Sequence, residues 1–308
     1  MSFLRNKNIL ILGGSGFVGR SVIKNLLEQG SRLVVITRNE NKIKTLKLSG
    51  EPGQLDIVSG NIFEEGILEK NIINKFAVIN LCGILFENEV NEFEKIHTFL
   101  PCYISNFCKK FNISKFVHVS ALGVSMSSKS LYSRTKSLGE EKVLKKFQKS
   151  IILRPSLIFG NNDNFFRQFV QMSKFSPILP LIGSTTKFQP IFVNDLALSF
   201  IKLLQDDNNL HKIYEIGGPK VYTFEQLLLL MLKTLNKRRY LFKLNPKLMM
   251  IPGYFLNFLP KPPFTADQMK LLLKDNIVNA GMPGLKELNL KPTALEVVLP
   301  KILKYYKT

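Results

Sequence analysis

Two clusters of residues in this chain have the types and spacing to do chemistry. The first is Tyr132-Ser-Arg-Thr-Lys136. A tyrosine and a lysine four residues apart lie on one face of a helix. An ammonium group beside a phenol favours the phenolate, and so does an oxidised nicotinamide. The expected result is a lowered tyrosine pKa and a usable general acid/base. The second cluster is Gly13-x-x-Gly16-x-x-Gly19. It follows the apolar run Ile9–Leu12 and precedes Phe17, Val18, Val22 and Leu26 at helical spacing. Strand, glycine turn and helix, in that order, suit a dinucleotide pyrophosphate. Glycine lets the backbone turn tightly and approach the phosphates, and the helix N-terminus turns N–H groups toward them. Gly13, Ser15, Gly16, Phe17, Val18 and Gly19 are the expected contacts. The competing reading is a turn that only seats a helix on a sheet.

A third position bears on the choice of dinucleotide. The run Val34-Val-Ile-Thr-Arg38 ends in arginine. An acidic residue here would bind a ribose 2′-hydroxyl, whereas arginine pairs with a 2′-phosphate. Glu40 lies two residues on. The expected cofactor is NADPH or NADP, ahead of NAD.

These residues need elements to position them. Short apolar runs alternate with helical patterns through the first half: Ile9–Leu12, Leu33–Thr37, Leu55–Ser59, Ala77–Leu81, Phe116–Ser120 and Ser150–Leu153. Continuous rather than alternating apolar runs imply strands buried on both faces of a parallel sheet. The predicted fold is α/β, a doubly wound parallel sheet. Residues 1–155 would form the nucleotide-binding core. Residues 156–308 would form a smaller C-terminal lobe intertwined with it. Three capping boxes predict helix starts there, at Thr223…Gln226, Thr265…Gln268 and Thr293…Glu296. Residues 246–264, PKLMMIPGYFLNFLPKPPF, are apolar, aromatic and broken by five prolines. Lys243, Lys247, Lys261 and Lys270 flank or interrupt them. This stretch is too broken to span a bilayer and is expected to face a membrane surface or a partner.

Composition narrows the classes further. In 308 residues, 43 Lys and Arg stand against 23 Asp and Glu, a net charge of +20. Such a surface suits nucleic acid, anionic lipid or an acidic partner, unless it only reflects a lysine-rich coding bias. The lysines are spread out and no nucleic-acid motif is visible. An anionic membrane surface or a protein partner is therefore expected, and no nucleic acid. No uncharged apolar run is long enough for a transmembrane helix. The N-terminus runs straight into the first strand, leaving no room for a signal peptide. Cys82, Cys102 and Cys108 are too few and scattered for a disulfide framework or a zinc site, which predicts a reducing, cytoplasmic compartment and no metal.

Taken together, the glycine turn and the Tyr132/Lys136 pair resemble the extended or atypical short-chain dehydrogenase/reductases, with their Rossmann-type core. Ile151-Ile-Leu-Arg-Pro-Ser-Leu-Ile-Phe-Gly160, Gln189-Pro-Ile-Phe-Val-Asn-Asp195 and Tyr214-Glu-Ile-Gly-Gly-Pro219 resemble later segments of that superfamily. The resemblance implies that Leu81, Cys82 and Gly83 let the backbone pass the cofactor. It also implies that Asn61 stands where relatives contact adenine, and that Val119, Ser120 and Pro155 lie along the nicotinamide. One departure matters. Phe116-Val-His-Val-Ser120-Ala121 puts Ala121 where catalytic relatives carry Ser or Thr. Ser120 is one residue early, so it is expected on the opposite strand face. Ser125, Ser127 and Ser128 follow in the loop. Loss of such a polar group would cost on the order of 100-fold in rate.

One branch fits best. Lys115-Phe-Val-His-Val-Ser120, Gly139-Glu140, Pro263-Phe264, Met282-Pro-Gly-Leu-Lys-Glu-Leu288 and Pro292-Thr-Ala-Leu-Glu296 resemble the alpha-subcomplex subunit 9 family of NADH:ubiquinone oxidoreductase, respiratory complex I. That resemblance implies tightly held NADPH, docking on complex I subunits, and a structural or assembly role without turnover. It implies a peripheral berth near the membrane, expected on the cytoplasmic face of a bacterial inner membrane. The alternatives are an active NADP-dependent oxidoreductase or epimerase using Tyr132 and Lys136, with quinone metabolism as one setting, and an NADPH-responsive regulator.

Overall fold

The computed structural model describes residues 2–206, 212–244 and 265–304. The stretch 246–264 lies outside the described residues. Six parallel strands follow the apolar runs closely: β1 Asn8–Leu12, β2 Arg32–Thr37, β3 Leu55–Ser59, β4 Ala77–Asn80, β5 Lys115–Val119 and β6 Ser150–Pro155. Past them come β7 Ile158–Phe159, β8 Ile178–Ile182, β9 Lys187–Phe188, β10 Ile191–Phe192, β11 Ile213–Ile216, β12 Tyr222–Thr223 and β13 Tyr240–Leu244. The main sheet has the order β11-β6-β5-β4-β1-β2-β3. The order reverses beside β1, and that switch point opens a crevice at the carboxyl ends of the strands.

Nine α-helices are described: α1 Phe17–Glu28, α2 Ile67–Ile72, α3 Leu100–Lys110, α4 Leu131–Lys146, α5 Asn164–Phe175, α6 Val193–Gln205, α7 Phe224–Leu235, α8 Ala266–Leu271 and α9 Leu295–Leu303. The sheet is covered on both faces. Val22, Ile23 and Leu26 of α1 pack with Leu196, Phe200 and Leu204 of α6 on one side. Leu100 and Ile104 of α3 and Val143 of α4 cover Leu10, Val78, Phe116 and Ile152 on the other. Burial on both faces is why these strands read as unbroken apolar runs. Each fully buried Leu, Ile or Phe contributes about 1.5–3 kcal/mol.

The second half does two jobs. Helix α6 and strand β11 return to the main sheet. A separate core gathers Phe159, Phe166, Phe169, Phe224, Leu228 and Leu299. Its aromatic rings meet edge-on, as in Phe169 and Phe224 at 75° and 5.6 Å.

Two of the expected capping boxes form, at Thr223/Gln226 and Thr265/Gln268. The third does not. Helix α9 starts from Ala294, and the Thr293 hydroxyl donates to Asp195 Oδ1 at 3.0 Å while its N–H donates to Oδ2 at 2.6 Å. A buried carboxylate on α6 is the stronger acceptor, so it takes the threonine that local spacing assigned to the helix end.

Candidate nucleotide site and the Tyr–Lys pair

The glycine turn is built as the spacing requires. Gly13 has φ +76°, and a Cβ there would stand 2.8 Å from the Leu81 carbonyl carbon and 2.9 Å from the Cys82 nitrogen. Only glycine fits both the left-handed conformation and the approach of β4. Gly19 of α1 rests on the turn itself, 2.6 Å from the Gly14 backbone at the Cβ position. The turn is closed by the Gly16 N–H donating to the Gly13 carbonyl at 3.1 Å. Among the described residues no side chain caps α1, and no acidic residue lies in its first turn. The N–H groups at Phe17, Val18 and Gly19 therefore face outward with the partial positive end of the helix, beside Ser15. A cradle that a Cβ would fill and an uncapped 12-residue helix fit a dinucleotide pyrophosphate.

The other expected contacts lie around this turn. Arg38 is exposed just past β2; burial raises the Cys82 thiol to about 11, and the cations of Lys136 and Arg38 oppose that rise. Thr37 Oγ1 accepts the Asn39 N–H at 3.1 Å and so shapes the turn that presents Arg38. Glu40 begins a short 3₁₀ turn beyond it. Asn61 follows β3, and its Oδ1 accepts the Phe63 N–H at 3.1 Å, leaving the amide NH₂ for a ligand. Leu81 continues β4 with its N–H on the Leu12 carbonyl. Gly83 lies against Lys136, whose Nζ would be 3.2 Å from an added Cβ. Pro155 ends β6, and its carbonyl accepts the Leu122 N–H.

Tyr132 and Lys136 both lie on α4, as expected. Their electrostatics differ from the expectation. Lys136 Nζ donates to the Val119 carbonyl at 3.1 Å. Burial lowers the Lys136 pKa to about 8, opposed by Glu140 and by Cys82. Burial raises the Tyr132 phenol to about 12. The correction has a simple cause. The ammonium is spent on a backbone carbonyl, and desolvation governs the phenol. The Tyr132 ring meets His97 and Phe93 edge-on, with centroids 5.1 and 5.9 Å away.

Ala121 leaves no hydroxyl of its own at the end of β5. Ser120 is buried with its Oγ unpartnered among the described residues. It shares the β5 face of Phe116 and His118, which lies under α3 and α4. Ser125 and Ser127 bond each other at 2.9 Å, and Ser128 Oγ accepts the Ser130 N–H. The loop serines are thus committed to their own turns.

Four features around this pair escaped the sequence reading. His97 Nε2 accepts the Ile84 N–H, which assigns the ring proton to Nδ1, facing Thr135 Oγ1 at 3.2 Å. Burial, Lys136 and His118 together depress its pKa to about 2. His118 Nδ1 accepts from the Asn80 amide at 3.0 Å and leaves Nε2 buried and unpartnered. Arg154 bridges Glu140 on α4, at 2.6 Å, to Glu215 on β11, at 3.5 Å, and Glu215 holds Asn279. Asp267 of α8 accepts from Ser130 Oγ at 2.6 Å and from the N–H groups of Leu131 and Tyr132 at 2.8 and 3.1 Å. Its neighbour Gln268 donates to the Leu85 carbonyl at 3.2 Å. Buried histidines inside an apolar run were the one available signal. The partners of Arg154 and Asp267 lie too far along the chain for any local pattern. Among the described residues no three His, Cys, Asp or Glu side chains gather to hold a metal.

Comparison with known proteins agrees with this geometry. The sequence profile of the NAD dependent epimerase/dehydratase family matches residues 9–217. Similarity extends over nearly the whole chain to the mitochondrial NADH dehydrogenase (ubiquinone) 1 alpha subcomplex subunit 9 of Arabidopsis thaliana, at 31% identity over 96% of this chain and 77% of that protein. The chain belongs to this branch of the epimerase/dehydratase family. The Mus musculus protein of the same description is 28% identical over 97% of this chain and 80% of its own length. Among solved structures, the Bordetella bronchiseptica enzyme WbmF in complex with NADH superimposes with a TM-score of 0.72 at 19% identity, over 100% of this chain and 94% of that one. That likeness concerns the fold.

Proposed function

We propose that this protein is an NADP(H)-holding accessory or assembly subunit of respiratory complex I, structural in role. The observation that carries the reading is the combination at one crevice. The glycine cradle is complete, while Ala121 brings no hydroxyl to the end of β5 and burial raises the pKa of the Tyr132 phenol. Gly13, Ser15, Gly16, Phe17, Val18 and Gly19 would hold the pyrophosphate. Arg38 would meet the 2′-phosphate and Asn61 the adenine side. Leu81, Cys82, Gly83, Val119, Ser120 and Pro155 would line the nicotinamide side, with Tyr132 and Lys136 against it. A bound nicotinamide supplies hydride chemistry. This chain's groups orient and enclose it more readily than they exchange a proton with a substrate.

The relatives are named as mitochondrial subunits of the respiratory enzyme, and that supports the same association here. No described helix is long and apolar enough to cross a membrane, which is compatible with a peripheral berth. In a bacterium the berth would be the cytoplasmic face of the inner membrane, and the high positive charge would favour an anionic surface nearby.

Gentle solubilisation of source membranes, followed by a native gel and mass spectrometry, tests the association. Stoichiometric co-migration with complex I, with NADPH recovered from the purified protein, is the expected result. A separate soluble peak overturns it. An active reductase is the second reading, favoured by the shared face of Tyr132 and Lys136. It requires turnover with NADPH that Tyr132→Phe abolishes.

A further inference from the structure

The C-terminal lobe presents a strand edge that no described residue covers. Among the described residues, strand β13 pairs on one side only, in parallel with β8, from Tyr240 opposite Ile178 to Leu244 opposite Ile182. The Tyr240 N–H donates to the Pro177 carbonyl, on the β8 side. Alternation along the strand turns the N–H and C=O groups of Leu241 and Lys243 the other way. A groove of about 460 Å³ runs between that open edge and α7, lined by Glu225, Leu229, Tyr240 and Phe242 among others. Leu229 and Phe242 are each 50% exposed and Tyr240 is 67% exposed. An exposed apolar edge strand is a template for another strand and is ordinarily blunted or covered.

Cations outnumber carboxylates around the groove, which Arg239 and Lys243 line with Glu225. Desolvation, and then the nearby cations of Arg239 and Lys174, depress the Lys237 ammonium pKa. Arg238 adjoins them in sequence. The one carboxylate lining the groove, Glu225, is held by Lys243 at 2.9 Å.

We propose that this edge receives an extended, acidic segment of a partner protein as an added strand. Its apolar side chains enter the groove against Leu229, Tyr240 and Phe242, and its carboxylates meet Lys237, Arg238 and Arg239. A lipid surface is the weaker fit, because acyl chains offer nothing to the open backbone groups of Leu241 and Lys243. The inference concerns the surface alone and does not require the partner to belong to complex I.

The test is photo-cross-linking of the full chain, expressed in its own cells, with p-benzoylphenylalanine in place of Phe242 and, separately, of Leu229. Both positions are exposed, and NADPH binding checks the fold of each variant. The expected product is a peptide from another protein, an extended segment richer in Asp and Glu than in Lys and Arg. Lys237→Glu with Arg238→Glu should lower its yield by about tenfold or more. Cross-links only to lipid, to a second copy, to this chain itself or to a basic segment would overturn the proposal, and so would none at either position. An acidic partner strand from outside complex I would keep this inference, and the functional reading above stands or falls separately on the native-gel test.

Discussion

Lys136 gives its ammonium to the Val119 carbonyl, 3.1 Å away, across the floor of the crevice. That bond joins α4 to the end of β5, where the nicotinamide side of a dinucleotide would rest. It also ties Lys136 to the backbone, while burial puts the Tyr132 phenol near 12. On the reading proposed above, the pair anchors two elements around a ligand.

If so, the Tyr132 hydroxyl is dispensable for the cellular role. Tyr132→Phe should leave co-migration with complex I unchanged, whereas Gly16→Trp, which fills the cradle, should abolish it. Native gels of the two variants decide the matter. Loss of assembly in Tyr132→Phe with retained folding would contradict the structural reading.

Gly13→Ala should cripple nucleotide binding and weaken the fold. The residue would sit at φ +76° with its Cβ 2.8 Å from the Leu81 backbone. A non-glycine residue in the left-handed region costs roughly 1–3 kcal/mol before the clash is counted. Calorimetric titration with NADPH and a thermal melt should both register the change.

Arg38 should set the choice between dinucleotides. Removing it by Arg38→Ala would take away a charge-assisted contact worth about 1.5–3 kcal/mol, or roughly 10- to 100-fold in NADPH affinity. NADH affinity should change little. Equal losses for both dinucleotides would show that Arg38 does not meet the 2′-phosphate.

Stability should fall on mild acidification. Burial holds the His97 pKa near 2, against 6.5 for a free histidine, and holds His118 well below its ordinary value. The unfolded chain therefore binds protons that the folded chain refuses. The histidine contribution is full above pH 6.5 and is lost as pH falls below it, by up to about 1.4 kcal/mol per pH unit for each ring. Urea unfolding at pH 7.5 and pH 5.5 measures the slope, which should shrink in His97→Gln.

Asp267 should matter to α4 from more than a hundred residues away. It accepts three hydrogen bonds at the helix start, from Ser130 and from the N–H groups of Leu131 and Tyr132. Asp267→Ala should cost about 1–2 kcal/mol, as loss of a capping group does. Hydrogen exchange at Leu131 and Tyr132 should rise with it.

Much of this protein was legible in the chain alone. The six apolar runs became β1 to β6 within a residue or two, because strands buried on both faces need continuous Val, Ile and Leu. The glycine spacing named its turn, because only glycine tolerates both the conformation and the backbone approach found at Gly13. Ala121 was visible as a departure for the same local reason. Tertiary structure alone decided the electrostatics. Depth of burial set the pKa values of Tyr132, Lys136 and His97, and sequence neighbours do not report depth. It also moved Thr293 from an expected helix cap to the Asp195 carboxylate on α6, and it brought Asp267 to Tyr132 and Arg154 to Glu140 and Glu215. Local propensity acts within a few residues, whereas a buried charge takes whatever partner the fold brings within about 3 Å.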